Sequence, residues 1–146
     1  MILADTSVLI DLLRGEIKAE KLEEHGEIAT CFPIQCEVYK GTKMARNTKE
    51  GEKQVKKLLE RLGELKSGPK AAKKFSELRQ KYGELNDFDL MIAGICLAND
   101  ADLITQDEDF EKIEELNCKK IVNYNTKCKN LAGPGLNYRC KLLFTE

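Results

Sequence analysis

Residues 1–15 read MILADTSVLIDLLRG. MILA is a short apolar run closed at once by Asp5, and it reads as a buried strand. Asp5-Thr6-Ser7 then offers N-cap chemistry, and VLIDLLRG continues as an amphipathic helix stopped at Gly15. A strand feeding a helix this directly is the opening of an α/β unit. A carboxylate at a strand end is costly to desolvate unless something compensates it. Asp5 must therefore meet a helix N-terminus, a cation or water.

The same alternation continues. A helix over about residues 18–25 is broken by Gly26, and EIATCF (27–32) reads as a second strand. Pro33 suits a first helical turn, so PIQCEVYKGTKMA (33–45) reads as a helix. Two Lys-rich helices follow, near 49–62 and 69–82, separated by Ser67-Gly68-Pro69. NDFDLMIAGICLAND (86–100) reads as a mostly buried helix, ADLIT (101–105) as a strand, QDEDFEKIEEL (106–116) as a helix and KKIVNY (119–124) as the last strand. Short apolar strands between helices predict an α/β fold, a parallel sheet of about four to five strands sandwiched by helices. Residues 1–124 form one domain in this reading. Residues 125–146 carry Gly133-Pro134-Gly135, show no strong period, and read as a C-terminal extension packed on the domain, where Leu142–Phe144 could add a strand.

Composition narrows the classes. No apolar stretch reaches the ~18 residues of a membrane span, and the N-terminus has no secretion signal, so the expected location is cytoplasmic. Six cysteines form no CxxC, and His25 is the sole histidine, so four-ligand zinc spacing is absent. Cys31, Cys36 and Cys96 sit among apolar residues and read as small core side chains. Cys128 and Cys140 could close a disulfide in a hyperthermophile's cytosol. One histidine makes Ser/His/Asp catalysis a poor fit, and neither GxGxxG nor GxxxxGK[ST] occurs.

Net charge is only -1, yet the signs are segregated. Residues 40–82 hold 14 Lys/Arg against 5 Asp/Glu, and residues 118–146 hold 6 against 1. The remaining residues are strongly acidic. Basic segments beside an acidic one suit a polyanion partner and a cation site, although most single Lys and Glu serve as solvated helix surface.

The acids fall at informative places. In open α/β sheets, ligands bind beyond the C-terminal ends of the strands. Asp5 follows the first strand and Asp107 follows ADLIT by two residues, while Glu37 lies one turn into its helix and Asp89 opens DLMIAGICL. Each has a plainer use: Asp5 and Asp107 as helix caps, Asp89 at a positive dipole end, Glu37 in water. Together they can converge on one edge, where their mutual repulsion asks for a divalent cation. An all-oxygen donor set suits Mg²⁺ or Mn²⁺. Such a site beside basic helices points to phosphodiester hydrolysis, with Lys40, Lys43 and Arg46 as candidates to hold nucleic-acid phosphates without reading sequence.

These motifs carry a resemblance. MILADTSVLIDLLRG, PIQCEVYKG, NDFDLMIAGICLANDADLITQDEDF and KKIVNY, in that order, resemble the PIN-domain family, and within it the VapC-type toxin ribonucleases. The resemblance implies a three-layer α/β/α sandwich and a Mg²⁺- or Mn²⁺-dependent endoribonuclease, a hydrolase acting on RNA and the toxin of a toxin–antitoxin pair. It implies Asp5 and Asp89 as principal metal ligands, Glu37 as the acid holding the metal or its water, and Asp107 as the fourth acid. Thr6 or Ser7 would orient Asp5 or its water, with Thr105 as a similar support. It also implies a small antitoxin partner and a homodimer. On helical spacing, Asp87 faces away from Asp89 and Asp11 faces solvent. Asp109 looks structural, yet it is the first acid to exchange with Asp107.

Other classes remain to be weighed. A non-catalytic PIN module that binds RNA or a protein keeps the acids without turnover. A haloacid-dehalogenase-like phosphatase wants a second Asp at position 7, where this chain has Ser7. A response-regulator receiver wants paired acids before the end of the first strand and a late sheet Lys, and neither is convincing here.

Overall fold

The computed structural model describes residues 1–121. Five strands, β1 (Ile2–Ala4), β2 (Ile28–Thr30), β3 (Gly63–Glu64), β4 (Asp102–Thr105) and β5 (Cys118–Lys120), form one sheet in the order β3-β2-β1-β4-β5. Every pairing is parallel. The strands are connected by α1 (Thr6–Leu13), α2 (Ala19–Glu23), α3 (Phe32–Thr42), α4 (Thr48–Leu59), α5 (Pro69–Lys81) and α6 (Asp87–Ala98), with a 3₁₀ turn over Glu108–Lys112.

The central strands read as unbroken apolar runs because both faces are covered. Every residue of β1 and β2 is buried, and Leu103 and Ile104 of β4 have no exposed surface. β1 is the centre of the sheet: Leu3 is in register with Ala29 of β2 on one side and with Leu103 of β4 on the other. The chain runs outward from β1 to β2 and β3, then crosses back to β4. Right-handed connections put the helices of these two excursions on opposite faces. α1 packs on α3 and α4, while α5 packs most closely on α6. α3 also touches α6.

Local chemistry sets the helix ends. Asp5, Asn47 and Asn86 cap α1, α4 and α6 with side-chain oxygens. Pro69 opens α5 at its first helical residue. Gly15, just past α1, takes φ +71°, a left-handed geometry that suits a residue without a Cβ.

Four sequence expectations need correction. β3 went unread, being two residues long. The helix expected over 106–116 is a single five-residue 3₁₀ turn. The last strand lies at 118–120, ahead of the Ile121-Val122 pair that suggested it. Cys36 is exposed, whereas Cys31 and Cys96 are buried. Ile34, Val38 and Thr42 turn inward at four-residue spacing, so the position two past Ile34 points the other way. The expected extension over 125–146, with Cys128, Cys140 and Leu142–Phe144, lies outside the described residues. Among the described residues, no helix is long and apolar enough to cross a membrane.

Candidate active site

Strand order reverses between β1 and β4, and the crevice at the carboxyl ends there is the natural ligand position. Asp5 stands at that point. It is 7% exposed, and its two carboxylate oxygens are held separately. Oδ1 accepts the Thr6 backbone N–H at 2.8 Å, and Oδ2 accepts the Thr105 hydroxyl at 2.8 Å. Thr105 is the last residue of β4, so one side-chain bond closes the gap between the neighbouring strand ends. The same hydroxyl oxygen accepts the Asp107 backbone N–H at 3.0 Å.

The other acids surround this centre. Thr6 donates its hydroxyl to Glu37 Oε2 at 2.6 Å. Thr6 therefore serves Asp5 through its backbone and Glu37 through its side chain. Among the described residues, the buried Ser7 hydroxyl has no hydrogen-bond partner. The hydroxyl on Asp5 thus comes from Thr105, not from Thr6 or Ser7. On α6, Asn86 Oδ1 accepts the Asp89 N–H and Asn86 Nδ2 donates to Asp89 Oδ2, both at 2.9 Å. Asp107 caps the 3₁₀ turn by accepting the Asp109 N–H at 2.9 Å. Asp109 in turn pairs with Lys112 at 2.9 Å.

Glu37, Asp89, Asp107 and Asp109 line one cleft of about 630 Å³ together with Lys40. Asp89, Asp107 and Asp109 each offer an oxygen within 4.8 Å of the others, the spacing of a group able to hold a metal ion. Asp5 and Glu37 lie outside that triad, linked to each other through Thr6. Asp109, which looks structural in the sequence yet is the first acid to exchange with Asp107, belongs to it. Its signal was present: in QDEDF, a carboxylate two residues past a capping Asp is drawn into the same turn. Asn86 was also missed, although N-x-x-D ahead of an apolar run is a cap signature.

The charges are strained against one another. Burial raises the Asp5 pKa, the Thr105 and Thr6 hydrogen bonds oppose this, and the charges of Glu37 and Asp107 add to it. Burial also pushes Asp89 up to about 6, with Asp107 the next cause, then Asp5 and Asp109, against the lowering bond from Asn86.

Two further expectations are placed here. Asp11 does not face solvent: it is 7% exposed and accepts Gln106 Nε2 at 2.6 Å. It lies three residues past the fully buried Val8, on the same helix face. Asp87 pairs with Arg79 at 2.8 Å and stays out of the triad. Of the proposed phosphate-binding cations, Lys40 lines the cleft, Lys43 pairs with Glu52 at 2.6 Å, and Arg46 is exposed.

An all-parallel sheet with acids gathered at its central switch point defines an α/β protein with a carboxylate-lined edge. The chain belongs to the PIN domain family, whose model matches residues 2–116. No curated protein matches the sequence. Among solved structures, the chain is similar to VapBC2 from Rickettsia felis bound to a DNA fragment from their promoter, with a TM-score of 0.74 and 20% identity, covering 84% of this chain and 100% of that one. VapBC-1 from nontypeable Haemophilus influenzae gives a TM-score of 0.70 at 23% identity, covering 82% and 98%. A toxin–antitoxin complex from Klebsiella pneumoniae gives 0.67 at 25%, covering 85% and 98%.

Proposed function

We propose that this chain is a divalent-metal-dependent endoribonuclease, acting as the toxin of a toxin–antitoxin pair. The observation that carries the reading is the buried Asp5, fixed by Thr105 across the β1/β4 switch point and electrostatically coupled to the acids of the cleft. The donor set fits a hard cation: every candidate ligand is a carboxylate oxygen, and three lie close enough to share one ion. The raised pKa values of Asp5 and Asp89 fit as well, because repelling carboxylates are relieved by positive charge. Asp89, Asp107 and Asp109 would hold Mg²⁺ or Mn²⁺, with Asp5 and Glu37 as the inner acids. When bound, such an ion supplies an activated water and offsets charge developing on the phosphoryl oxygens.

The protein's own contribution is preorganisation. Thr105 and Thr6 fix the Asp5 carboxylate, Thr6 fixes Glu37, and Asn86 fixes Asp89 through both its backbone and its side chain. These bonds hold the acids in one arrangement before substrate arrives. Lys40 brings positive charge to the same cleft, where a phosphate would lie. Water attacks phosphorus in line and the ester oxygen leaves, with no covalent enzyme intermediate.

The partner assignment rests on the solved relatives, which are VapBC or toxin–antitoxin complexes. By that likeness we assign this chain an antitoxin partner; the partner's small size and a homodimeric state of this chain rest on the family resemblance alone. Size measurement of the purified chain at micromolar concentration tests the dimer, and a monomer removes it. The activity is tested by incubating the protein with labelled single-stranded RNA under EDTA, then adding Mn²⁺ or Mg²⁺. Cleavage silent in EDTA and restored by metal supports the reading. RNA binding without cleavage under every condition would favour a non-catalytic module.

A further inference from the structure

We propose that Gln106 is a positioning residue for the metal-holding acids, acting by clasping the buried Asp11 of α1. This rests on the nuclease reading above.

The segment Thr105-Gln106-Asp107 leaves the end of β4 and must deliver Asp107 to the cleft. Gln106 sits at the bend just past the end of β4, so its side chain need not follow that of Thr105. Thr105 reaches one way, to Asp5 at 2.8 Å. Gln106 reaches elsewhere, to Asp11 Oδ2 at 2.6 Å, a partner 95 residues away in the chain. The segment is thereby pinned twice to the first helical unit: at the N-cap of α1 through Thr105, and more than one turn further along through Gln106. Asp107 follows these two anchors directly, and its own carboxylate then holds Asp109 in the 3₁₀ turn. Two of the three triad acids therefore hang on this tether.

The chemistry of the clasp suits that role. A glutamine amide is a neutral donor that does not titrate, so its bond to a buried carboxylate persists whatever the charge on the neighbouring acids. Asp11 is buried and apart from the triad, so it serves as an anchor for the turn rather than as a ligand. Asp11 has other interactions too, so the clasp is read from the Gln106 side.

The test is Mn²⁺ binding to the full chain, measured by calorimetry or by the free-ion resonance signal, with the thermal midpoint taken on the same samples. Gln106→Leu should weaken Mn²⁺ binding about 10-fold or more, in the range known for outer partners of metal ligands. Asp11→Asn keeps an acceptor oxygen for the amide and should bind Mn²⁺ as the wild type does. Asp11→Leu combined with Gln106→Leu should be no weaker than the weaker single variant, because both break one contact. Should Gln106→Leu fail to fold, Gln106→Asn serves, since its amide is one methylene short. Wild-type Mn²⁺ affinity in Gln106→Leu, or losses that add independently, would overturn the clasp alone. A wild-type chain that binds no Mn²⁺ would overturn the nuclease reading and the clasp with it.

Discussion

The Thr105 hydroxyl donates to Asp5 and accepts from the Asp107 backbone, so a single oxygen links the acids that follow β1 and β4. Thr105→Val keeps the shape and removes both bonds. It leaves a buried carboxylate oxygen without this partner, at a cost of about 1–3 kcal/mol, and should weaken metal binding about 10–100-fold. Denaturant unfolding and Mn²⁺ titration read the two effects. Asp89 gives a pH prediction. Burial lifts its pKa from the ordinary carboxylate value of 3.8 to about 6, so its proton is held more tightly folded than unfolded. Its stabilising contribution is full below about 3.8 and is lost as pH rises through about 6. The thermal midpoint of Asp89→Asn, relative to wild type in EDTA, should therefore climb across that window and level off above it. Mn²⁺ affinity runs the opposite way, falling below about pH 6 as the proton competes. A pH-independent difference between the two proteins would contradict this account.

At this scale the sequence disclosed Asp5, Glu37, Asp89 and Asp107 by position, because strand ends and helix starts are visible in apolar patterning. The structure brings Glu37, Asp89 and Asp107 to one cleft and couples Asp5 to it. The partners of each acid were not legible. That the Thr6 hydroxyl turns to Glu37 and Thr105 to Asp5 depends on rotamers and on a contact 100 residues apart in the chain.

Among the elements, α5 and α6 make the tightest crossing. A Cβ built on Gly94 of α6 would lie 3.0 Å from both the Ala71 carbonyl oxygen and the Phe75 nitrogen of α5. These are backbone atoms of a packed helix and cannot swing aside. Gly94→Val should destabilise by about 1–3 kcal/mol through overpacking, and because α6 carries Asp89, it should weaken Mn²⁺ binding as well. Unchanged unfolding would mean that the helices separate freely. α6 was readable as a buried helix because its run from Leu90 to Cys96 is almost wholly buried. β3 was not, since two residues carry no period, and it exists only because β2 offers it an edge. The segment after β4 misled for a related reason. QDEDFEKIEEL is rich in helix formers, yet Phe110 and Ile113 are both drawn into the core, and the chain turns after one 3₁₀ stretch.

For the molecule as a whole, folding assembles acids that repel, and a cation bound only in the folded state returns stability by mass action. Mn²⁺ at 100 times its dissociation constant should add about 2.7 kcal/mol, seen as a higher thermal midpoint at pH 7.5 that EDTA reverses. Asp5→Asn should blunt the gain. The parallel topology was legible throughout because βα alternation leaves few alternatives. That the acids gather at the carboxyl edge was legible with it; the crevice between β1 and β4 was not, because strand order is set by pairings that apolar patterning does not disclose. The most direct test of the acidic edge as a nuclease centre is cleavage of labelled single-stranded RNA in Mn²⁺ by wild type, Asp5→Asn and Asp89→Asn, each purified identically and shown to be folded. The account predicts cleavage by wild type and none by either variant. Equal cleavage by all three would place the activity elsewhere and contradict it.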